Sequence, residues 1–254
     1  MNISYSVEDG VAGIVIARPE KRNALTAAMY SEFARGVRAA IADDAVAALL
    51  ISGQAGVFTA GNDLADFLND PPRDESAPVF DFMRSLLECD KPVVAAVNGP
   101  AVGVGTTLLL HCDLVYLGED ARLSLPFVHL ALVPEFASSL LLPQRLGAAR
   151  AAEKLLLGEP FGAAEAVALG LANAVLPAQQ CLAHARSVAA RFTALPRGAV
   201  RATKRLLRAG EAAAVKEALQ REAGVFAERL HSPEAREAFT AFMDKRKPDF
   251  RGLS

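Results

Sequence analysis

The sequence predicts an α/β protein in which helices bury a sheet, and two observations support this class. From the N-terminus to about residue 145, short apolar runs of strand length alternate with segments whose apolar residues recur every three or four positions. Beyond that point the chain changes to Ala-rich segments with helical periodicity. Such alternation is typical of an α/β core. With 52% hydrophobic and 22% charged residues, the chain can form one large domain with an appended subdomain.

The first elements are a strand and an amphipathic helix. "GVAGIVIARP" at 10–19 is expected to form a strand that enters a loop. A helix is expected from about Thr26, because Met29, Phe33, Val37 and Ile41 follow at four-residue spacing and share one helical face. The Thr26 hydroxyl suits the N-cap position.

The strand-and-helix pattern then repeats. "AVAALLISG" at 45–53 and "KPVVAAVNG" at 91–99 are continuous apolar runs, typical of buried strands, and "DLVYLGED" at 113–120 predicts a further strand. Between them, "SAPVFDFMRSLLE" at 76–88 and "VGTTLLLHC" at 104–112 predict helices.

After residue 145, Ala-rich helices are expected. The last begins at "SPEAREAF", where Ser232 can cap and Pro233 fits the first helical position. The preceding helical segments are "AARAAEKLLLG", "GAAEAVALG", "CLAHARSVAARF", "RGAVRATKRLLR" and "EAAAVKEALQREAGVFAERL".

The composition argues against several classes of protein. A formal net charge of −2 gives no basic excess for nucleic acid. The uncharged run at 92–110 is nearly long enough to span a bilayer, but its Asn-Gly-Pro turn and glycines favour strand, loop and helix. The three cysteines and four histidines lack metal-ligand or disulfide spacing. No signal peptide is recognisable, so the cytoplasm is the expected compartment.

Two glycine-rich turns between strands and helices are the best candidates for binding. They are "FTAGNDL" at 58–64 and "NGPAVGVGT" at 98–106. Glycine lets the backbone approach a ligand closely, and the first N–H groups of a helix have no internal partner. Such N–H groups bind negative charge. Taken alone, each turn can equally be a packing feature.

Together with other segments, these turns resemble the crotonase superfamily, also called the enoyl-CoA hydratase/isomerase family. The further segments are "RPEKRNAL" at 18–25, "KPVVAAVNGPAVGVG" at 91–105, "GLANAVLP" at 170–177 and "AFMDKRKPDF" at 241–250. The resemblance implies a spiral of repeated ββα units over residues 1–195. It also implies a C-terminal helical region, 196–254, that contacts CoA and assembles a homotrimer or homohexamer.

The resemblance further implies an acyl-CoA site. The N–H groups of Ala60 and Val104 would bind the thioester oxygen and stabilise an enolate. No cofactor beyond the CoA of the substrate is expected, and neither a nucleic acid nor a membrane partner. The residues expected to contact acyl-CoA are Lys21, Arg22, Ala24, Leu25, Ala60, Gly61, Asp63, Leu64, Gly103 and Lys245.

The acid/base residues decide which reaction is expected. At the two positions where hydratases of this family carry glutamates, this sequence has Thr107 and Phe127, and neither can activate water. Peroxisomal-type Δ3,Δ2-enoyl-CoA isomerases, which the segment "LALVPEFASSLLLPQRLG" resembles, use one acid that corresponds here to Glu135. One carboxylate suffices to move a proton from C2 to C4, and apolar surroundings raise its pKa.

Alternatives remain for the acid and for the function. Pro134 and Glu135 also fit an ordinary helix start. Asp63 is expected at a helix start, and Asp66 and Asp70 are the alternative acids. Ser138 and Ser139 line the acyl pocket or simply begin a helix. The expected activity is enoyl-CoA isomerisation, and the alternatives are a hydratase with an atypical base and a non-catalytic acyl-CoA-binding protein.

Overall fold

A computed structural model describes residues 2–69, 71–72 and 76–253, and in these residues six strands form the main sheet. Their order across the sheet is β1-β2-β3-β4-β6-β9. The strand β1 pairs antiparallel with β2, and the remaining neighbours are parallel. The strands are β1 (Ile3–Glu8), β2 (Val11–Ile16), β3 (Ala48–Gly53), β4 (Val93–Val97), β6 (Leu114–Gly118) and β9 (Ala174–Leu176).

A second, three-stranded sheet lies beside the first and contains β5 (Pro100–Val102), β7 (Arg122–Ser124) and β8 (Phe161–Gly162). Each of β4 and β6 is followed directly by a short strand of this second sheet, and then by a helical turn. Thr59, which follows β3, joins the second sheet through a parallel bridge to Ala101. The chain therefore repeats a strand, a short strand and a helix.

The predicted helices are present. The α-helices are α1 (Ala27–Ala42), α2 (Leu64–Asn69), α3 (Pro78–Glu88), α4 (Val104–Thr107), α5 (Ser138–Leu146), α6 (Ala148–Leu157), α7 (Ala163–Ala168), α8 (Ala178–Arg191), α9 (Arg197–Ala209), α10 (Ala212–Leu230) and α11 (Pro233–Met243). Short 3-10 helices span Pro19–Lys21, Leu108–His111, Phe127–Leu130 and Phe192–Ala194. Both predicted N-caps are confirmed, since Thr26 accepts the Met29 N–H at 3.3 Å and Ser232 accepts the Ala235 N–H at 3.0 Å.

The central strands of the main sheet are buried on both faces. Successive side chains of a strand point to opposite faces, so Leu50 and Val94 pack with Ala185 of α8, whereas Leu49 and Val93 belong to the core beneath α1 and α3. This two-sided burial explains why β3 and β4 are continuous apolar runs in the sequence.

The C-terminal helices dock on this core through buried polar side chains. Lys204 of α9, only 6% exposed, places its ammonium 2.6 Å from Asp113 and donates to the Lys91 carbonyl at 2.7 Å. Arg208 approaches the same Asp113 at 3.0 Å. In the described ranges no helix has the length and apolar character that a membrane crossing requires.

Candidate active site

The two glycine-rich turns lie against each other at the join of the two sheets. Thr59 donates its N–H to the Pro100 carbonyl at 3.1 Å and accepts the Val102 N–H at 3.0 Å. Gly61 has φ +88°, and a Cβ there would lie 2.9 Å from the Val102 carbonyl oxygen. Glycine is therefore required at this position both for the backbone conformation and for the close contact.

The N–H groups of these turns correct one prediction. The Ala60 N–H donates to the Arg22 carbonyl at 3.0 Å, so the expectation that it binds a substrate oxygen is wrong. In the first turn the N–H of Asn62 has no hydrogen-bond acceptor among the described residues, and in the second turn the same holds for the N–H of Val104. Gly103, with φ +56°, precedes Val104 and places it at the start of α4. Each turn thus presents an unpaired N–H directly after one of its glycines, from Asn62 after Gly61 and from Val104 after Gly103.

Glu135 lies in the turn before α5 rather than in the first turn of that helix. The alternative interpretation of Pro134 and Glu135 as a helix start is therefore wrong, because α5 begins at Ser138. Phe136 and Ala137 separate Glu135 from the helix, and both have a left-handed backbone, with φ +59° and +58°. Such a conformation costs about 1 kcal/mol or more for a residue with a Cβ.

Several contacts hold this strained turn. His111 Nε2 lies 2.8 Å from the Phe136 carbonyl oxygen, and the two rings stack at 3.8 Å. Burial lowers the pKa of His111 to about 3, so this imidazole is neutral. The Ser138 hydroxyl, at the start of α5, donates to the Glu135 carbonyl at 2.6 Å. Ser138 is fully buried, and Ser139 follows it on the same helical turn.

Glu135 is a half-buried residue, and the pKa of its carboxyl is raised. Burial raises its pKa from 4.5 to about 8; a hydrogen bond from Thr107 opposes the rise, and the charge of Glu222 adds to it. The Thr107 hydroxyl donates to Glu135 Oε1 at 2.5 Å. A carboxyl with this pKa exchanges its proton near neutral pH, which suits a general acid/base.

The two positions that carry glutamate in hydratases are occupied differently here. Thr107, on α4, is fully buried and bonded to Glu135. Phe127 is 7% exposed, and its ring lies against Gly103, where an added Cβ would meet Phe127 Cε1 at 3.9 Å. Neither side chain can take a proton from water, so of positions 107, 127 and 135 only Glu135 supplies a carboxyl group.

Tyr30 is a site residue that the sequence analysis missed. Tyr30 lies on the buried face of α1, where its side chain is 3% exposed, and its hydroxyl donates to Asn62 Oδ1. Burial and the nearby Glu135 carboxyl raise the pKa of Tyr30 well above its ordinary value. The position of Tyr30 on the apolar face of α1 predicts that the ring is buried. A buried tyrosine hydroxyl usually has a hydrogen-bond partner, and this was the one signal in the sequence for a polar contact at Tyr30.

A cavity of about 360 Å³ opens beside Tyr30. Its lining combines apolar side chains, including Leu25, Phe67, Pro78 and Val79, with polar ones such as Tyr30 and Ser76. The apolar part of such a lining can accommodate a hydrocarbon chain. Asp66, one of the two alternative acids, also borders the cavity. Its carboxylate, however, accepts the Ala27 N–H at 2.8 Å and so supports the start of α1.

Asp63 acts at a helix start, as predicted. Its Oδ1 accepts the N–H groups of Ala65 and Asp66 at 3.1 and 3.2 Å, and Arg18 pairs with Oδ2 at 2.7 Å. Burial alone would raise the pKa of Asp63, but the hydrogen bonds from Arg18 and from these N–H groups together lower it. Asp63 is therefore a structural anion rather than a base.

The other predicted CoA contacts divide into two groups. Leu25 and Gly61 join the glycine turn, since the Leu25 N–H donates to the Gly61 carbonyl at 2.8 Å. Ala24 precedes Leu25, and Leu64 begins α2. By contrast, Lys21, Arg22 and Lys245 have exposed side chains that make no hydrogen bond or ion pair in the described part of the chain. Asp70 lies outside the described residues.

The donor groups do not fit a metal centre. Within the described ranges no three His, Cys, Asp or Glu side chains cluster closely enough to hold an ion. Cys89, Cys112 and Cys181 are free and buried. The site is thus built from the Glu135 carboxyl, the hydroxyls of Thr107 and Tyr30 and the N–H groups of Asn62 and Val104, beside a cavity with a mixed apolar and polar lining.

Comparison with known proteins identifies the family. Residues 6–253 match the enoyl-CoA hydratase/isomerase family. The human enoyl-CoA delta isomerase 2 is 33% identical over 246 residues, 94% of this chain, but the chain spans only 62% of that protein's length. The 2,3-dehydroadipyl-CoA hydratase of Escherichia coli strain K12 is 32% identical over 243 residues, 94% of each chain.

A solved structure confirms the fold. The structure of Pseudomonas aeruginosa OdaA is 51% identical, with a TM-score of 0.93, and the match covers 95% of this chain and 98% of that one. The relatives include both an isomerase and a hydratase. The chain has the crotonase fold and belongs to the enoyl-CoA hydratase/isomerase family.

Proposed function

We propose that this protein is a Δ3,Δ2-enoyl-CoA isomerase that acts in fatty acid metabolism. The observation that carries the proposal is the position of Glu135, a carboxyl with a raised pKa, which is linked through Thr107 and Tyr30 to the residues that present the N–H groups of Asn62 and Val104. Thr107 bonds to Glu135 and belongs to the helix that begins at Val104. Tyr30 bonds to Asn62, and its pKa responds to Glu135. The base and the two N–H donors therefore surround one reaction site.

The chemistry follows from this arrangement. Ionised Glu135 removes a proton from C2 of a 3-enoyl thioester, and the C2–H electron pair moves toward the carbonyl to give a dienolate. The N–H groups of Asn62 and Val104 stabilise the negative oxygen, and the loss of one such donor typically costs about 3 kcal/mol of barrier. Protonated Glu135 then returns the proton to C4, and the double bond lies between C2 and C3.

The raised pKa of Glu135 suits both halves of this cycle. A carboxyl with the ordinary pKa of 4.5 would hold the captured proton poorly, whereas one at about 8 holds it long enough to deliver it to C4. The absence of a second acid at Thr107 and Phe127 disfavours hydration, because activation of water in this family uses two glutamates. A single shuttling carboxyl is sufficient for the isomerisation.

The substrate class, the cofactor, the cellular location and the oligomeric state are proposed on separate grounds. The family supports an acyl-CoA substrate, and the chemistry needs no cofactor beyond its CoA. Free, buried cysteines support a cytoplasmic location. Exposed leucines at 156, 206 and 207, which are 69%, 77% and 78% exposed, support burial against other copies in a homotrimer or homohexamer.

The test is a direct assay on a 3-enoyl-CoA. We expect the purified protein to form the conjugated 2-enoyl-CoA, followed by its absorbance. We expect Glu135→Gln to lower the rate by about 10²- to 10⁴-fold while acyl-CoA binding survives. Glu159→Gln, the same change at an exposed loop residue, is the matched control.

Three results contradict the proposal. Full activity in Glu135→Gln excludes Glu135 as the shuttle. Steady hydration of a 2-enoyl-CoA by the wild type, without isomerisation, indicates a hydratase with an atypical base. Binding of acyl-CoA with neither reaction indicates a non-catalytic homologue.

A further inference from the structure

A second buried carboxylate reaches the Glu135 turn from the opposite end of the sequence. Glu222, on α10, is 7% exposed. Its Oε2 accepts the Ala137 N–H at 2.6 Å and its Oε1 accepts the Ser139 N–H at 2.8 Å. Both oxygens are thus used on the segment that directly follows Glu135.

Glu222 has no ion-pair partner among the described residues. Arg221 is its neighbour in sequence, but Arg221 forms its ion pair with Glu217 at 2.6 Å, and no described basic group lies within ion-pair distance of Glu222. Burial raises the pKa of Glu222, and the donors at Ser139 and Ala137, together with the charge of Arg221, oppose that rise. Burial of a carboxylate without an ion pair costs folding free energy. We therefore expect Glu222 to have a structural or catalytic role.

The Glu222 contacts hold the turn where its backbone is strained. Ala137 has a left-handed backbone, as has Phe136 before it. His111 holds the Phe136 carbonyl from one side, and Glu222 holds the Ala137 N–H from the other. Without these contacts the turn can relax, and the Glu135 side chain would move with it.

Glu222 also acts on Glu135 through its charge. The polar groups that interact with Glu135 are Tyr30 from α1, Thr107 from α4 and Glu222 from α10. His111, which contacts Phe136, is neutral. Of these groups, Glu222 is the one that adds negative charge near the Glu135 carboxyl, and this charge favours the protonated form of Glu135.

We infer that Glu222 is a positioning residue that acts on the reaction through Glu135, by clamping two N–H groups of its turn and by placing a second negative charge beside it. This inference rests on the proposed isomerase function. Glu222 itself does not touch the substrate, because backbone N–H groups occupy both of its oxygens. The helix α10 is therefore part of the catalytic apparatus although it contributes no reacting atom.

Two variants separate the two effects. Glu222→Gln removes the charge and replaces one acceptor oxygen by an NH₂ group. Glu222→Asp keeps the charge but withdraws the carboxylate from the N–H groups. Glu228→Gln, the same change at an exposed position on the same helix, is the matched control.

Each variant has its own expected result. We measure kcat on a 3-enoyl-CoA above pH 9, and the titration of the Glu135 side-chain carboxyl by ¹³C NMR, assigned by its loss in Glu135→Gln. In Glu222→Gln, kcat falls about tenfold or more, and the titration midpoint moves to lower pH. In Glu222→Asp, kcat falls while the midpoint stays close to that of the wild type. Glu228→Gln changes neither.

The NMR titration needs no turnover, so it tests Glu222 even if the wild type proves not to be an isomerase. An unmoved midpoint in folded Glu222→Gln overturns the inference, whether or not kcat falls, because a purely structural role also lowers kcat. An unchanged kcat in both variants of an active isomerase overturns it too. If Glu222→Gln fails to fold by circular dichroism, Glu222→Asp decides alone, and wild-type kcat there overturns the inference.

Discussion

Replacement of Glu135 by glutamine is expected to stabilise the folded protein, and increasingly so as the pH rises. The wild-type carboxyl has a pKa of about 8 in the fold and an ordinary value of 4.5 when the chain is unfolded. The native state therefore holds its proton more tightly than the unfolded state. The stability that this group contributes is present below pH 4.5 and is lost as the pH rises through about 8. Glutamine does not ionise and escapes this loss.

The magnitude follows from the two pKa values. Each pH unit between them is worth about 1.4 kcal/mol. Between pH 5 and pH 9, the wild type should therefore lose about 4 kcal/mol of unfolding free energy relative to Glu135→Gln. This figure is an upper bound, because the carboxyl is only half-buried and water partly screens it. For comparison, a whole domain is stable by only about 5–15 kcal/mol.

The assay is urea unfolding of both proteins at pH 5, 7 and 9, with Glu159→Gln as control. The quantity that matters is the difference in unfolding free energy between variant and wild type at each pH. A difference that stays constant across this range would refute the reasoning, since it would mean that Glu135 titrates at its ordinary pH in the folded protein.

Three further predictions concern activity and stability. We expect kcat/KM on a 3-enoyl-CoA to rise about tenfold per pH unit below about pH 8 and to level off above it, because the base must be ionised and the pKa of Glu135 is about 8. A flat pH profile of kcat/KM from pH 5 to 9 contradicts this prediction. Thr107→Val should move that midpoint to higher pH, because it removes the hydrogen bond that favours ionised Glu135, and Thr107→Ser should restore it. Asp113→Ala should lower the unfolding free energy by about 3 kcal/mol in urea titrations, because it leaves the buried Lys204 ammonium unpaired, and an effect below about 1 kcal/mol would show that Lys204 finds another partner.

The elements of the fold could be predicted from local patterns. Apolar periodicity located β2, β3, β4, β6 and the longer helices, and the hydroxyls of Thr26 and Ser232 marked two helix starts. The strand β1 and the short strands β5, β7, β8 and β9 were not predicted. These signals are local, because a cap or an apolar face depends on residues a few positions apart. The chemistry-bearing turns were also found, since glycine at a tight turn is a local requirement.

The errors at the site arose from long-range contacts. Ala60 and Asn62 are equivalent in the sequence pattern, and only the Arg22 carbonyl, 38 residues before Ala60, decides which N–H is left unpaired. Likewise, the pair Pro134 and Glu135 fits a helix start. The left-handed backbone that follows is stabilised by His111 and Glu222, which no local pattern connects to it.

The hydrogen bond between Glu222 and Ala137 joins residues 85 positions apart. Such a contact closes a long loop, so its formation costs more chain entropy than that of a local contact. On a ribosome, the turn that carries Glu135 is synthesised well before the helix that clamps it. The residues up to Glu135, including Asn62, Val104 and those that line the cavity, are therefore synthesised before α10, and Glu222 can hold the turn only when the C-terminal helices dock.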